Sequence, residues 1–272
     1  MASRAEQKAA ARAARESHQM QMKMAAARRT RLMVTAGIIG VAVIALVVAI
    51  VVSTNGGHKA NTTINNATKA AAQKTVAAEL AGIPQSGNVL GKASAPITLV
   101  EYGDLVCPIC RDFAVTTEPG IISALVKTGK AKLEFRAFET ASQTANASEY
   151  VATQVAARSA GLQGREWNYI LTMYREQPQT LNGQPAEQVS YITPKYLQDI
   201  ATQVPGLNPI KWQSHLADVA LVNDVTTDGQ AALASGAQGT PAVTVAGPKG
   251  TALDQESIPT VAGLESTIAQ LS

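Results

Sequence analysis

The sequence predicts an α/β fold in which a βαβ unit and a ββα unit are separated by a helical insertion, with one transmembrane helix in front. Three observations predict this arrangement. Two strand-like segments flank a helix-like one between residues 95 and 138, and a strand-rich segment returns at 239–253. Helix-like stretches fill the interval of about 141–236, and an uncharged apolar run occupies 32–52. Such alternation is typical of a sheet covered by helices.

The net charge of +3 hides a basic tail. Residues 1–31 carry eight Lys or Arg side chains and two Glu, a net +6, so residues 32–272 carry −3. Nucleic-acid-binding domains usually present a basic patch, often with aromatic side chains between the charges, and no such stripe follows the tail. The composition therefore argues against nucleic acid as a partner.

Residues 32–52 predict a transmembrane helix, because they contain no charge and a helix needs about 20 apolar residues to cross a bilayer. Arg28, Arg29 and Arg31 precede the run, whereas the residues that follow it are nearly uncharged. The positive-inside bias then places residues 1–31 in the cytoplasm and the remainder outside the membrane. A cleaved signal peptide is the alternative, although its apolar region is usually only about 7–15 residues long.

Residues 53–80 are rich in Ala, Asn, Thr and Lys and show little apolar periodicity before about Val76. This composition predicts a flexible linker with a helical turn or two near 68–80. The soluble domain is therefore expected over residues 81–272, on the extracytoplasmic side.

Three segments of the βαβ half predict strands. Residues 82–91 are punctuated by Gly and Pro, which suits a short edge strand and a turn. The run APITLVEYGD at 95–104 is typical of a buried strand, because it is short, apolar and bounded by turn residues. The segment KLEFRAF at 132–138 alternates apolar and polar side chains and predicts a second core strand.

A helix is expected between these two core strands. Pro108 suits its first turn, where the missing N–H would have no partner, and apolar side chains recur from Ile109 onward. Pro119 should kink or divide the helix, and Gly129 should end it.

The insertion contains several stretches with amphipathic spacing or helix-starting residues. They are 147–161, 165–177, 193–204 and 208–236, the last of which is expected to form two helices with Gly229 as a candidate break.

The ββα half begins where β-forming residues return. The segment GTPAVTVAGPKG at 239–250 predicts a strand that leads into a Gly/Pro turn. A second short strand near 252–253 would complete a hairpin, and 264–272 predicts a terminal helix.

Cys107 and Cys110 are the only cysteines in the sequence, and three roles were open to them: a metal site, a structural disulfide or a redox centre. A zinc site needs four ligands, and the three histidines are widely scattered. A disulfide across so short a loop removes little chain entropy. At a strand-to-helix junction, by contrast, the helix N-terminus lowers a thiol pKa, and disulfides persist outside the cytoplasm. This favours a redox centre.

The stretch APITLVEYGDLVCPICRDF, taken with GTPAVTV downstream, resembles the DsbA-type thiol–disulfide oxidoreductases of the thioredoxin superfamily, in particular their membrane-anchored bacterial branch. The resemblance covers about residues 83–272. It implies a thioredoxin-like fold with the helical insertion between its two halves.

The resemblance also implies roles for five residues. Cys107 matches the attacking cysteine and Cys110 the buried resolving one, so the two would form a redox-active disulfide. Pro241 matches the cis-proline that faces this disulfide, and Thr240 before it would pair with substrate backbone. Glu101 matches a buried acid that could shuttle a proton to or from Cys110. The alternative for Glu101 is a surface carboxylate at a strand end.

The expected function is a membrane-tethered, extracytoplasmic oxidoreductase that forms disulfides in exported proteins. No metal or organic cofactor is expected, and a quinone-linked membrane partner for reoxidation is implied by the resemblance alone. Asp104 is a weaker candidate for the site. Ile109 departs from the His that strongly oxidising relatives often carry, which leaves the redox strength open. A reductase or isomerase of the same fold, or a non-catalytic surface chaperone or interaction module, is the alternative.

Overall fold

The computed structural model describes residues 66–141, 147–254 and 256–272. The basic tail, the apolar run at 32–52 and the first part of the linker lie outside these residues and stay predictions. In the described part of the chain, no helix combines the length and the apolar character needed to span a bilayer.

A six-stranded sheet forms the centre of the domain, with strand order β1-β2-β4-β3-β7-β8. β3 pairs with β4 in parallel and with β7 antiparallel, so β3 is a central strand with a partner on each side. The strands are β1 Gln85–Ser86, β2 Val89–Leu90, β3 Ile97–Gly103, β4 Ala131–Ala137, β7 Ala242–Gly247 and β8 Gly250–Leu253, and β5 Thr180–Leu181 with β6 Gln184–Pro185 forms a separate hairpin. The predicted βαβ and ββα halves are both present.

Helices cover the sheet and make up most of the insertion. The α-helices of the described residues are α1 Asn66–Leu80, α2 Pro108–Thr116, α3 Glu118–Ile121, α4 Ala147–Gly161, α5 Glu166–Glu176, α6 Pro194–Gln203, α7 Pro209–Ser214, α8 Val219–Ser235 and α9 Val261–Leu271. Helices α4 to α8 lie in the predicted insertion.

Alternate side chains of β3 enter two different cores, as the strand's period of two requires. Ile97 and Leu99 join the large core that also contains Cys110. Val100 and Tyr102 face the opposite side of the sheet and pack in a small cluster that includes residues of and after α8. Glu101 therefore faces the large core, on the same side of the sheet as Cys110.

The helix that follows β3 is divided at the predicted place. α2 ends at Thr116, and Pro119 lies in the first turn of the short helix α3. A π-helical turn, Ile122–Val126, continues it, and Gly129 then adopts a φ of 75° in the turn before β4. Proline tolerates the first turn but not the interior of a helix, which explains the break.

The structure differs from the predicted linker boundary. Residues 66–80 form the full-length helix α1 rather than isolated turns, and Val76 and Leu80 are buried in the large core. Arg175 on α5 makes an ion pair with Glu79 on α1. The alanine-rich sequence hid this helix, because its buried side is defined by only a few apolar side chains.

Two details of the insertion also differ from expectation. Gly229 lies inside α8, and the break between α7 and α8 comes instead at residues 215–218, where Asp218 caps α8 by accepting the Ala220 N–H. The β5–β6 hairpin was not predicted, although Asn182 and Gly183 carry its signal. Both have positive φ, 53° and 78°, as in the Asn-Gly turns that favour tight hairpins.

A buried ion cluster joins three helices of the insertion. Arg158 on α4 places Nη1 3.1 Å from Glu166 Oε1 at the start of α5. Its Nη2 donates to Asp228 on α8 and to the Phe135 carbonyl on β4, the latter at 3.3 Å. Glu166 is buried, and burial raises the pKa of its carboxyl to about 7 against the opposing effect of Arg158. Arg158 thus compensates two carboxyl groups that have little access to water.

Candidate active site

Cys107 lies at the junction of β3 and α2 and caps the helix. Its Sγ accepts the Cys110 N–H at 3.4 Å, and its own N–H donates to the Asp104 carbonyl at 3.0 Å. Pro108 occupies the first turn, where no N–H is required. The sulfur therefore stands where the positive end of the helix dipole favours a negative charge.

The two thiols have opposite environments. The Cys110 thiol and backbone N–H donate hydrogen bonds to Cys107 and lower the pKa of the Cys107 thiol to about 7, although burial and the charge of Asp104 oppose this change. Burial raises the pKa of Cys110 well above its ordinary value. Both cysteines are free thiols in the structure. Near neutral pH, Cys107 can be a thiolate while Cys110 keeps its proton.

The loop before β7 faces this pair. The Thr240–Pro241 peptide is cis, as the resemblance implied. The Cys107 Sγ lies 3.8 Å from the Thr240 carbonyl oxygen and donates to it. Antiparallel pairing of Ala242 with Tyr102 fixes the loop beside the end of β3. Segments distant in sequence thus meet at one sulfur.

Asp104 holds together the backbone segments beneath the site, a more important role than the sequence suggested. It is fully buried. Its Oδ1 accepts the Val106 N–H at 3.1 Å, and its Oδ2 accepts the N–H groups of Thr140 and Ala141 at 2.9 and 3.0 Å. Thr140 in turn shares a hydroxyl hydrogen bond with Thr240. One carboxylate therefore ties the turn before Cys107 to the loop that faces it.

A cleft of about 690 Å³ opens at Cys107. Its lining comes from the helix α2 start, the loop after β4, the 3₁₀ turn Ala186–Gln188 of the insertion and the cis-proline loop. The lining residues are Cys107, Pro108, Ile109, Thr140, Ala141, Glu187, Gln188, Gly239 and Thr240. Cys110 is absent from this lining, so an incoming group meets Cys107 first.

Ile109 projects at the cleft with 49% of its surface exposed. It supplies neither a charge nor a hydrogen-bond donor to the sulfur. Among the described residues, no group of three or more His, Cys, Asp and Glu side chains is arranged to hold a metal ion.

Glu101 is buried, not a surface carboxylate, with 1% of its surface exposed. Burial raises its pKa to about 7, and a hydrogen bond with Glu118 limits the rise. Glu118 is equally buried and was missed by sequence reasoning. An acidic residue in the first turn of a helix usually lies at the surface, where its negative charge interacts favourably with the helix dipole. The position of Glu118 in the sequence therefore gives no indication that the side chain is buried.

The arrangement is suited to thiol–disulfide exchange, which needs an accessible thiolate and a second thiol within reach of it. Cys107, Cys110, Thr240 and Pro241 come together as the sequence predicted. Glu101 lies on the core side of β3, below them.

Comparison with known proteins agrees with this geometry. The thioredoxin family model matches residues 85–261. Disulfide bond formation protein D of Bacillus subtilis (strain 168) is 24% identical over 157 residues, which are 58% of this chain and 66% of that protein. The matched part is thus just under two thirds of the relative's own length.

Solved structures show the same fold. The crystal structure of oxidised BdbD from Bacillus subtilis superposes with a TM-score of 0.56 at 21% identity, covering 69% of this chain and 95% of that one. DsbA from Chlamydia trachomatis superposes with a TM-score of 0.53 at 18% identity, covering 68% and 90%. The family model, which spans well over half of the chain, decides the classification: the chain belongs to the thioredoxin family and has the fold of its DsbA-type members.

Proposed function

We propose that this protein is a thiol–disulfide oxidoreductase that forms disulfides in exported proteins. One observation carries the proposal: Cys107 lies at a helix N-terminus, lines an open cleft and has a thiol pKa near 7, whereas Cys110 is buried behind it. A low pKa makes Cys107 a good leaving group as well as a good nucleophile.

The oxidation consists of two exchanges. A substrate thiolate attacks Cys107 Sγ, the Cys107–Cys110 bond breaks, and Cys110 leaves with the electron pair and takes up a proton. A second substrate thiolate then attacks the substrate sulfur of the mixed disulfide, and Cys107 leaves as thiolate. The substrate loses two electrons and two protons. The enzyme gains the two electrons as one thiol and one thiolate, so one proton ends on Cys110 and the other is released to solvent.

The test uses the mixed disulfide. The oxidised wild type should oxidise a reduced two-cysteine protein. A Cys110→Ser variant, mixed with the same protein in its disulfide form, should accumulate a covalent complex through Cys107, because Cys107 attacks the substrate disulfide and the resolving thiol is missing. The complex is measured on a non-reducing gel, and its bond is located by mass spectrometry.

Three outcomes separate the candidate functions. Oxidative refolding of the substrate supports the oxidase. Activity restricted to insulin reduction or disulfide shuffling assigns the reductase or isomerase instead. If the variant forms no mixed disulfide and the wild type exchanges no disulfides, the protein is a non-catalytic chaperone or interaction module.

We also propose that residues 32–52 anchor the domain in the cell membrane, with the N-terminus in the cytoplasm and the catalytic domain outside. The support is the uncharged run itself and the basic residues before it. A quinone-linked membrane protein is the proposed reoxidant, on the resemblance alone.

The anchor predicts that the full chain fractionates with membranes and resists extraction by carbonate. Protease added to cells with an intact cell membrane but a permeable cell envelope should digest the catalytic domain, because that domain is proposed to lie outside the membrane. Replacing Val43 and Val47 by lysine should release the protein or block its insertion. Recovery of the wild type as a soluble, N-terminally shortened chain would instead support the signal peptide.

A further inference from the structure

Two carboxyl groups are buried together beneath the active site. Glu101 on β3 and Glu118 on α3 each expose about 1% of their surface. They hydrogen-bond to one another. Among the described residues, no other N–H or O–H group donates a hydrogen bond to any of their four oxygens. Buried polar groups without conventional partners are rare in native proteins and often mark a functional role.

The pair lies on the Cys110 side of the sheet. Glu101 alternates with Ile97 and Leu99, which share the large core with Cys110. Tyr174 on α5 lies near both groups: burial, and then the charges of Cys110 and Glu101, raise the pKa of its hydroxyl. The Tyr174 hydroxyl donates to the Asp104 carbonyl at 3.3 Å, directly before the turn that leads to Cys107. Of the two carboxyl groups, Glu101 is therefore the one on the Cys110 side, and we call it the inner carboxyl.

Glu118 is the outer carboxyl. The charges that act on it are those of Glu101, of Glu79 on α1 and of Arg175 on α5. Glu79 and Arg175 are already paired with each other, so Arg175 only partly offsets the negative charge around Glu118. Burial and two neighbouring carboxyl groups raise the pKa of Glu118 well above its ordinary value. It holds its proton and can donate a hydrogen bond.

Two buried carboxylates in contact cannot both be ionised, because like charges at short range in a poorly solvated site repel strongly. The favourable state with one proton is a neutral carboxyl that donates to a carboxylate, as in the paired carboxyls of aspartic proteases. The structure distinguishes the two groups, since Glu118 faces Glu79 as well as Glu101. The Glu118 carboxyl is then the donor, and Glu101 is the group that ionises first.

We propose that Glu118 is a positioning residue that stays protonated and donates a hydrogen bond to Glu101. It thereby enables Glu101 to take the Cys110 proton when the enzyme dithiol is oxidised and to return it when the enzyme disulfide is reduced. The proposal rests on the thiol–disulfide exchange proposed above. It adds to that exchange a second carboxyl that does not touch the reacting sulfur atoms.

The proton balance is closed. When a substrate thiolate breaks the enzyme disulfide, Cys110 leaves as a thiolate in an apolar site, and protonated Glu101 gives it a proton and becomes a carboxylate. The Glu118 hydrogen bond stabilises that carboxylate. When the reoxidising disulfide draws electrons from the dithiol, Cys110 returns its proton to Glu101 as the internal disulfide forms.

The experiment compares Glu118→Gln with Glu118→Leu in the full chain purified in detergent. Gln keeps an N–H donor for Glu101, whereas Leu has a similar volume and none. Infrared spectra of the protonated-carboxyl band follow Glu101 against pH, and its loss in Glu101→Gln assigns the band. We expect the wild-type midpoint near pH 7, little change for Gln, and a rise of about one to two pH units for Leu. The pH profile of dithiol oxidation should move in the same direction.

Two results would overturn the proposal. The first is a Glu118 carboxyl that titrates in the wild type near the ordinary glutamate value of about 4.3, which needs no variant to fold. The second is a folded Glu118→Leu protein whose Glu101 midpoint and oxidation profile match the wild type. The proposed function fails independently, by the absence of disulfide exchange at every pH, and the infrared titration can be read in that case too.

Discussion

Replacing Cys107 by serine is expected to abolish dithiol oxidation, with a loss of about a thousandfold or more in rate. A serine hydroxyl neither forms a disulfide nor ionises near neutral pH. The wild-type thiol should react with iodoacetamide along a pH curve with its midpoint near 7, whereas an unperturbed thiol has a pKa of about 8.5. Mass spectrometry after alkylation at each pH gives the curve and the modified residue.

Cys110→Ser is the matched control for this result. It removes the same atom from the buried position, so it should still form one mixed disulfide, whereas Cys107→Ser should form none. In the reduced wild type, alkylation should stay on Cys107, because Cys110 is fully buried and its pKa is raised. Equal oxidation rates for wild type and Cys107→Ser, or preferential alkylation of Cys110, would contradict the assignment of the nucleophile.

Arg158→Met should lower the free energy of unfolding by about 3–5 kcal/mol, because it leaves Glu166 and Asp228 buried without their cation. Arg158 is only 11% exposed at its side chain, and its carboxylate partners are 1% and 13% exposed. Urea unfolding, followed by circular dichroism, measures the change.

The pH dependence of this variant distinguishes lost charge compensation from lost packing. Glu166 binds a proton more tightly in the folded than in the unfolded protein, so its ionisation costs stability as pH rises from its ordinary value of 4.5 to about 7. Without Arg158 its pKa rises further, and the loss should continue above pH 7. Arg136→Met is the control, since its pair with Glu134 at 2.8 Å is part-exposed and worth less than about 1 kcal/mol. Equal effects of the two substitutions would contradict the role of Arg158.

Local patterns were enough to predict the elements that carry the site. The apolar run before Asp104, the proline after Cys107 and the break at Pro119 each act within a few residues, and each appears where expected. The cis peptide before Pro241 was expected from the resemblance rather than from local physics, because an X–Pro sequence alone favours trans.

What the sequence could not show depends on contacts between distant segments. Glu118 is buried and is acted on by Glu79 of α1 and Arg175 of α5, both distant from it in sequence, and α1 itself was taken for linker. Asp104 accepts the Val106 N–H within its own turn, but it gains the N–H groups of Thr140 and Ala141 only when the loop after β4 lies beside it. The sequence around a residue does not show which distant segments will contact it. Neither Glu118 nor Asp104 could therefore be predicted from the sequence as a main residue of the site.

Because Ile109 is uncharged, the Cys107 thiolate has no ionisable neighbour at this position of the cleft. A histidine there would change its charge between pH 5 and 8, and the field at the sulfur would change with it. Isoleucine has no such transition, and the hydrogen bonds from Cys110 are fixed dipoles that dissolved ions screen weakly. The charge of Asp104 is also buried, where screening is reduced. The thiolate fraction at a given pH should therefore be nearly the same in dilute and in concentrated salt.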